Sequence, residues 1–279
     1  FKNKGYTTVN ISKIFDYRTV GKGMDSISWS WPYFPAGEEI LHYYSSETGP
    51  VTGYFYQSEL VKQTYIEKKA EAEELGIHPI QHLHKFIKPA TECLDLPDHA
   101  YKDGVFANRA IEDLKKLSKE GNPFFLAVGF ERPHLPWTAP KKYWDMYDES
   151  KIQLAESKSI PANVHKASLH GSGEFNQYKL GEEKASLDAP VSDEYARKAR
   201  HAYFACVSFI DAQVGKLMNE LDELGLAENT IVVVWGDHGW HLGDQLVWGK
   251  HTIFDRSLHS TFMMKVPGME NGKTIRETK

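Results

Sequence analysis

Asp237 and His238 stand at the end of an apolar run, residues 230–235, inside the tetrapeptide Gly236-Asp237-His238-Gly239. A carboxylate and an imidazole side by side can hold a divalent cation, and the flanking glycines permit a tight backbone there. A hard cation such as Ca2+ takes about 6–8 ligands, mostly oxygen. The pair is therefore part of a site, and the same four residues can equally be a structural turn. His134 lies in Arg132-Pro133-His134-Leu135-Pro136, directly after a second apolar run. It is a candidate general acid or anion contact, since imidazole holds or gives a proton near neutral pH; the plain alternative is a loop histidine. Lys250, in Trp248-Gly249-Lys250-His251, and Lys13, after the short run 6–11, could each neutralise an oxyanion as a point charge. Outside a pocket they are ordinary surface lysines. Trp240 follows the Asp-His pair and could face a substrate or simply pack. Arg132 is a further candidate anion contact.

These residues need strands to carry them. The run 6–11 is β-branched and reads as a strand. Runs 124–130 and 230–235 are continuously apolar, the pattern of strands buried on both faces. Residues 261–266 read as another strand. Between them, Phe106, Ala110, Leu114 and Leu117 recur at helical spacing behind a proposed Asp103 cap. Tyr203, Val207, Ile210, Val214, Leu217, Leu221 and Leu224 form a stripe on a helix opened by Ser192. Residues 58–75 read as a solvated helix, and 21–60 and 77–101 as irregular. Residues 141–190 read as a polar excursion from the core. Strands alternating with helices predict an α/β fold with a mostly parallel central sheet covered by helices on both faces. Ligands bind such sheets at the carboxyl ends of the strands. Lys13, His134 and Asp237-His238 all fall just past such ends.

The remaining features narrow the function classes. The chain has 279 residues and a formal net charge of -5, which gives no electrostatic reason to expect nucleic acid. A local basic pocket could still take an anion. No apolar run approaches the roughly 20 residues of a membrane-spanning helix. The two cysteines, Cys93 and Cys206, form no C-x-x-C pair and read as packed thiols. The spacing of His78, His82 and His84 fits no standard metal motif, so they read as loop residues.

Several linked motifs resemble the type I, formylglycine-dependent sulfatases of the alkaline phosphatase superfamily, and iduronate-2-sulfatases in particular. The segment from Tyr203 through Asp211 to Gly215 resembles the family's long helix. Gly236-Asp237-His238-Gly239-Trp240 resembles its calcium motif, with Trp248-Gly249-Lys250 following at the expected distance. The segment from Phe125 to Pro136 resembles its His-bearing strand end. The resemblance covers nearly all of 1–279, as a partial catalytic domain with variable, loop-rich insertions at about 21–100 and 141–190. It implies that Asp237 and His238 bind Ca2+, and that Lys250 and Lys13 hold the sulfate oxygens. It implies that His134 contacts the ester and assists departure of the sugar oxygen, and that Trp240 faces the substrate. In the family a formylglycine hydrate attacks sulfur. The implied substrate is a sulfated sugar or glycosaminoglycan-like polysaccharide, in a periplasmic, lysosomal or secreted setting.

Three departures accompany the resemblance. The chain contains no C/S-x-P/A-x-R sequence from which formylglycine is made. The family's N-terminal Asp pair and its C-terminal small sheet have no match either. A fragment lacking the upstream nucleophile region, inactive alone, is the expectation. Asp16 also stands where the family has a histidine three residues after the lysine matched by Lys13. A phosphodiesterase or phosphonate hydrolase of the same superfamily is the first alternative, distinguished by its nucleophile. A non-catalytic sulfoglycan-binding protein is the second.

Overall fold

The computed structural model describes residues 1–15, 26–32, 34, 56–178 and 183–269. Asp16 and most of the 21–60 segment lie outside these residues. Strand β1 (Thr7–Ser12) pairs in parallel with β3 (Phe124–Gly129), with Ser12 opposite Gly129. Gly129 has no side chain for a reason. A Cβ there would come within 2.3 Å of the Lys13 carbonyl carbon, so the two strand ends meet backbone to backbone. Lys13 and the loop carrying His134 consequently leave the sheet side by side.

A second parallel pair joins β2 (Thr91–Leu94) to β4 (Trp137–Pro140). Strands β5 (Val232–Trp235) and β8 (Phe262–Lys265) pair antiparallel, as do the short β6 (His241–Leu242) and β7 (Trp248–Gly249). The α/β class holds, and both the β1–β3 and β2–β4 pairings are parallel. Among the described residues, however, the strands form four two-stranded pieces, and the 261–266 strand runs against its neighbour. Strands β3 and β5 are also not buried on both faces. Phe124, Leu126 and Val232 pack on Leu114, Leu221 and Ala227, whereas Trp235 is 67% exposed. Phe125, on the opposite face of β3, is stacked by Phe1 and Trp29.

The helices follow local chemistry with some corrections. Helix α1 (Glu59–Glu74) matches expectation, but the segment after it is not irregular. It forms α2 (Pro79–Phe86), with Pro79 in its first turn and His78 Nδ1 accepting from Ile80 N at 3.2 Å. His82 is buried with Nε2 3.3 Å from Glu71 of α1, so the histidine group serves helix capping and helix pairing. Helix α3 (Lys102–Glu120) buries Phe106, Ala110, Leu114 and Leu117 as the spacing requires and ends at left-handed Gly121. Asp103 is no cap; its carboxylate is buried and bonds elsewhere.

Helix α4 (Lys141–Trp144) opens the 141–190 segment, which joins the core instead of leaving it. Tyr143, Trp144, Phe175, Tyr178 and Ala185 are all buried in the largest apolar cluster. Helix α5 (Asp193–Glu223) starts at Ser192, whose Oγ accepts from Tyr195 N at 3.1 Å. Its buried line runs through Ala199, Ala202, Cys206, Phe209 and Gln213, one row over from the apolar stripe in the sequence; Val207 is exposed. The small alanines let α5 lie close to β4, where Cys206 Sγ reaches the Thr138 carbonyl at 3.7 Å. Burial pushes that thiol up to about 12. Cys93, in contrast to the packed thiol expected, is exposed. The short α6 (Asp255–Leu258) precedes β8. No helix among the described residues is long and apolar enough to cross a membrane.

Candidate active site

The loop after β3 is clamped from beneath. Asp103 accepts from Glu131 N at 2.6 Å and from Arg132 N at 3.2 Å. Lys102 Nζ lies 2.6 Å from Glu131 Oε1. Arg132 points inward, with Nε 4.0 Å from Asp103 and Nη2 3.9 Å from Glu131, and it donates to the His134 carbonyl. Its guanidinium is 4% exposed. Arg132 is thus placed to hold the His134 backbone and does not present its charge to a pocket. Trp137 Nε1 completes the clamp by donating to the Pro133 carbonyl at 2.9 Å.

His134 emerges above this clamp. Its Nδ1 lies 2.7 Å from the Leu135 carbonyl oxygen, an acceptor, so Nδ1 carries hydrogen and Nε2 is the nitrogen turned to the pocket. Nε2 meets Glu174 Oε1 at 2.9 Å. Lys250 leaves the end of β7, and its Nζ lies 3.3 Å from the other oxygen of Glu174. Burial works against the charge on Glu174, yet the His134 imidazole and the Lys250 ammonium hold its carboxyl down to about 2. The same Nζ stands 5.2 Å from the Trp240 ring centroid, within cation–π range.

Trp240 is the hinge between this cationic pair and the Asp-His pair. Its ring centroid is 6.3 Å from that of His134 and 6.3 Å from that of His238. It is buried, and its Nε1 has no hydrogen-bond partner among the described residues. The tight backbone predicted for the glycines is needed at Gly239, where a Cβ would fall 2.1 Å from the Arg256 carbonyl oxygen. His238 Nδ1 lies 2.7 Å from the Gly239 carbonyl, leaving Nε2 3.6 Å from Asp237 Oδ2. The Asp237 side chain is 76% exposed.

Four of the residues singled out in the sequence, His134, Lys250, His238 and the adjoining Asp237, therefore gather around the buried Trp240. Lys13 sits beside the clamp, where its charge acts on Glu131. No hydrogen bond or ion pair joins it to His134 or Lys250. Glu174 had no sequence signal. It lies in a polar stretch of the 141–190 segment, 76 residues from Lys250, and only the fold shows it against the two cations. As a metal site the chain offers two donors: among the described residues no group of three or more His, Cys, Asp or Glu side chains is gathered to hold an ion. One hard carboxylate with free oxygens and one imidazole fit part of such a site.

His134, Lys250, Trp240 and the Asp237-His238 pair thus lie together at strand ends of an α/β fold. The chain belongs to the sulfatase family, whose model matches residues 1–278. It is 30% identical over 276 residues to iduronate 2-sulfatase of Homo sapiens, covering 96% of this chain and 44% of that protein. It is 32% identical over 188 residues to a sulfatase of Formosa agariphila, covering 67% and 34%. Among solved structures, phosphonate monoester hydrolase of Agrobacterium radiobacter matches at TM-score 0.59 and 20% identity, over 96% of this chain and 51% of that one. The chain thus spans under half the length of the curated relatives it matches.

Proposed function

We propose that this chain carries the anion-contacting part of a sulfuric ester hydrolase acting on a sulfated sugar, with the nucleophile supplied by a formylglycine outside these residues. The observation that carries this reading is the convergence of His134 Nε2 and Lys250 Nζ on one carboxylate, at 2.9 and 3.3 Å, beside Trp240. An imidazole nitrogen and an ammonium spaced to meet one carboxylate are spaced to meet the oxygens of a sulfate group. Lys250 would neutralise charge on the non-bridging oxygens, and that interaction strengthens as charge develops in the transition state. His134 would hold a proton on Nε2 at the departing sugar oxygen, with its ring fixed by the Leu135 carbonyl and its backbone by Arg132. The indole of Trp240 would offer a flat apolar wall to a sugar ring. Lys13, one strand over, would add positive charge from the side.

Asp237 and His238 would contribute two ligands to a bound Ca2+, which would supply Lewis-acid charge stabilisation. The family resemblance supports a periplasmic, lysosomal or secreted setting for such an enzyme. The decisive assay compares a longer protein containing this chain on 4-nitrophenyl sulfate, on a 2-O-sulfated uronate and on an aryl phosphonate. Sulfate-ester hydrolysis is expected, with no turnover by the 279 residues alone. Turnover of the phosphonate alone would replace this reading with the phosphonate hydrolase one.

A further inference from the structure

Glu174 stands where the proposed chemistry requires an anion from outside. Its carboxylate takes up the bonding positions of both His134 Nε2 and Lys250 Nζ, with Oε1 meeting His134 at 2.9 Å and Lys250 at 3.4 Å and Oε2 lying 3.3 Å from Lys250. With Nδ1 on a carbonyl and Nε2 on a carboxylate, both imidazole nitrogens of His134 face oxygen acceptors. A sulfate group added to this arrangement would meet a like charge within a few ångströms in a partly desolvated pocket, which is strongly unfavourable. We propose that Glu174 is an internal anion seated on the His134–Lys250 pair, and that a sulfate group binds by displacing it. The inference rests on the sulfatase reading of these two cations and adds how they are occupied before substrate arrives.

The surroundings say how displacement occurs. The backbone on either side of Glu174 is anchored. Ser172 is buried and its Oγ accepts from Trp248 N at 2.9 Å. Phe175 is buried and stacks on Trp248 at 5.0 Å between centroids, 18° from parallel. The Asn176 amide donates to the Gly171 and Ala185 carbonyls, each at 2.9 Å. The segment therefore stays, and the carboxylate leaves by side-chain rotation. Its side chain is 23% exposed, which gives it an outlet to water. Its Oε1 takes both the close His134 contact and a long 3.4 Å hydrogen bond from Lys250, while its buried Oε2 has only the 3.3 Å ionic contact with Lys250, so the Lys250 side of the seat is the looser one. Protonation does not open the seat at ordinary pH, since the carboxyl titrates at about 2. Exchange for another anion is what remains.

Such a seat selects its ligand. Apparent affinity falls by the fraction of time the seat is open. A small free anion, with no other contacts, competes poorly against the tethered carboxylate. A sulfate ester brings the binding energy of its sugar as well. The favoured ligand is thus an ester with a substantial alcohol portion, and the product sulfate is readily expelled.

Titration of inorganic sulfate into this chain and into Glu174→Gln tests the inference. The readouts are calorimetry and the side-chain nitrogen resonances of His134. If the seat is open for about a tenth of the time or less, removing the charge tightens sulfate binding about ten-fold or more. His134 then shifts on binding, and Glu174→Ala shows the same gain. Equal or weaker sulfate binding in both variants would overturn the inference, because the carboxylate would then support the cations without occupying their anion site. A tighter fit that leaves His134 unmoved would also overturn it, since the anion would be bound elsewhere. Neither result touches the sulfatase reading, which stands or falls on ester hydrolysis by the longer protein.

Discussion

Glu174 Oε1 and His134 Nε2 meet at 2.9 Å although neither residue belongs to a helix or strand. Each is placed by a buried neighbour. His134 is held by Arg132 beneath it, and Glu174 by Phe175, which is stacked in the aromatic core. The site is precise because its irregular segments are tied to regular ones.

Lys250→Ala removes the ammonium from the anion site. In a longer, active protein we expect a loss of about 10²–10³ in kcat/KM on an aryl sulfate, the scale for losing one oxyanion-stabilising group. Steady-state kinetics with a matched far-ultraviolet spectrum would check it. A loss below three-fold would remove Lys250 from the chemistry.

Asp237→Ala deletes the one hard ligand in the Asp-His pair. Calcium binding by the longer protein, measured calorimetrically, is expected to weaken by at least ten-fold, because a hard cation depends on its carboxylate oxygens. Unchanged affinity would show that the metal assignment is wrong. The side chain is largely exposed, so folding should be little affected.

Asp103→Ala should act through stability. It strips two backbone donors, Glu131 N and Arg132 N, of their partner and removes a negative charge facing the buried Arg132 guanidinium. Breaking a buried charged arrangement from one side costs about 3–5 kcal/mol. Urea unfolding would read this as a lowered midpoint at unchanged slope. A cost under 1 kcal/mol would mean that the clamp is not what holds the His134 loop.

Asp98 predicts an acid sensitivity. Burial opposes its charge, but Lys142 at 2.7 Å, Lys216 at 2.6 Å and Gln213 at 3.1 Å hold its carboxyl down to about 2. The unfolded chain takes up the proton first as pH falls, with an ordinary carboxylate value near 3.9. The contribution, roughly 2 kcal/mol, is therefore complete above about pH 4 and is lost between about pH 4 and 2. The stability difference between the wild type and Asp98→Asn should shrink over that window. A difference independent of pH there would contradict it.

Much of this protein was legible in the sequence. Apolar runs ending in Gly-Asp-His-Gly and Arg-Pro-His-Leu-Pro announced strand ends carrying chemistry, and linked motifs announced the family. Helix α3 was readable because its buried face repeats at helical spacing, a property of the local chain alone. Tertiary structure decided the rest. The buried face of α5 moved to Ala202, Cys206 and Phe209 because close packing on β4 favours small side chains, which apolar counting undervalues. Strand β8 turned antiparallel because a strand's direction is set by its partner. Arg132 turned inward because two buried carboxylates, Asp103 and Glu131, outbid solvent for its charge. Glu174 came to the site because Phe175 stacks on Trp248, a contact between side chains distant in the chain. The Asp237-His238 dipeptide was visible from the start. That it lies near His134, Lys250 and Glu174 around Trp240 is decided in three dimensions, since no local pattern encodes which distant side chains the core will bring together.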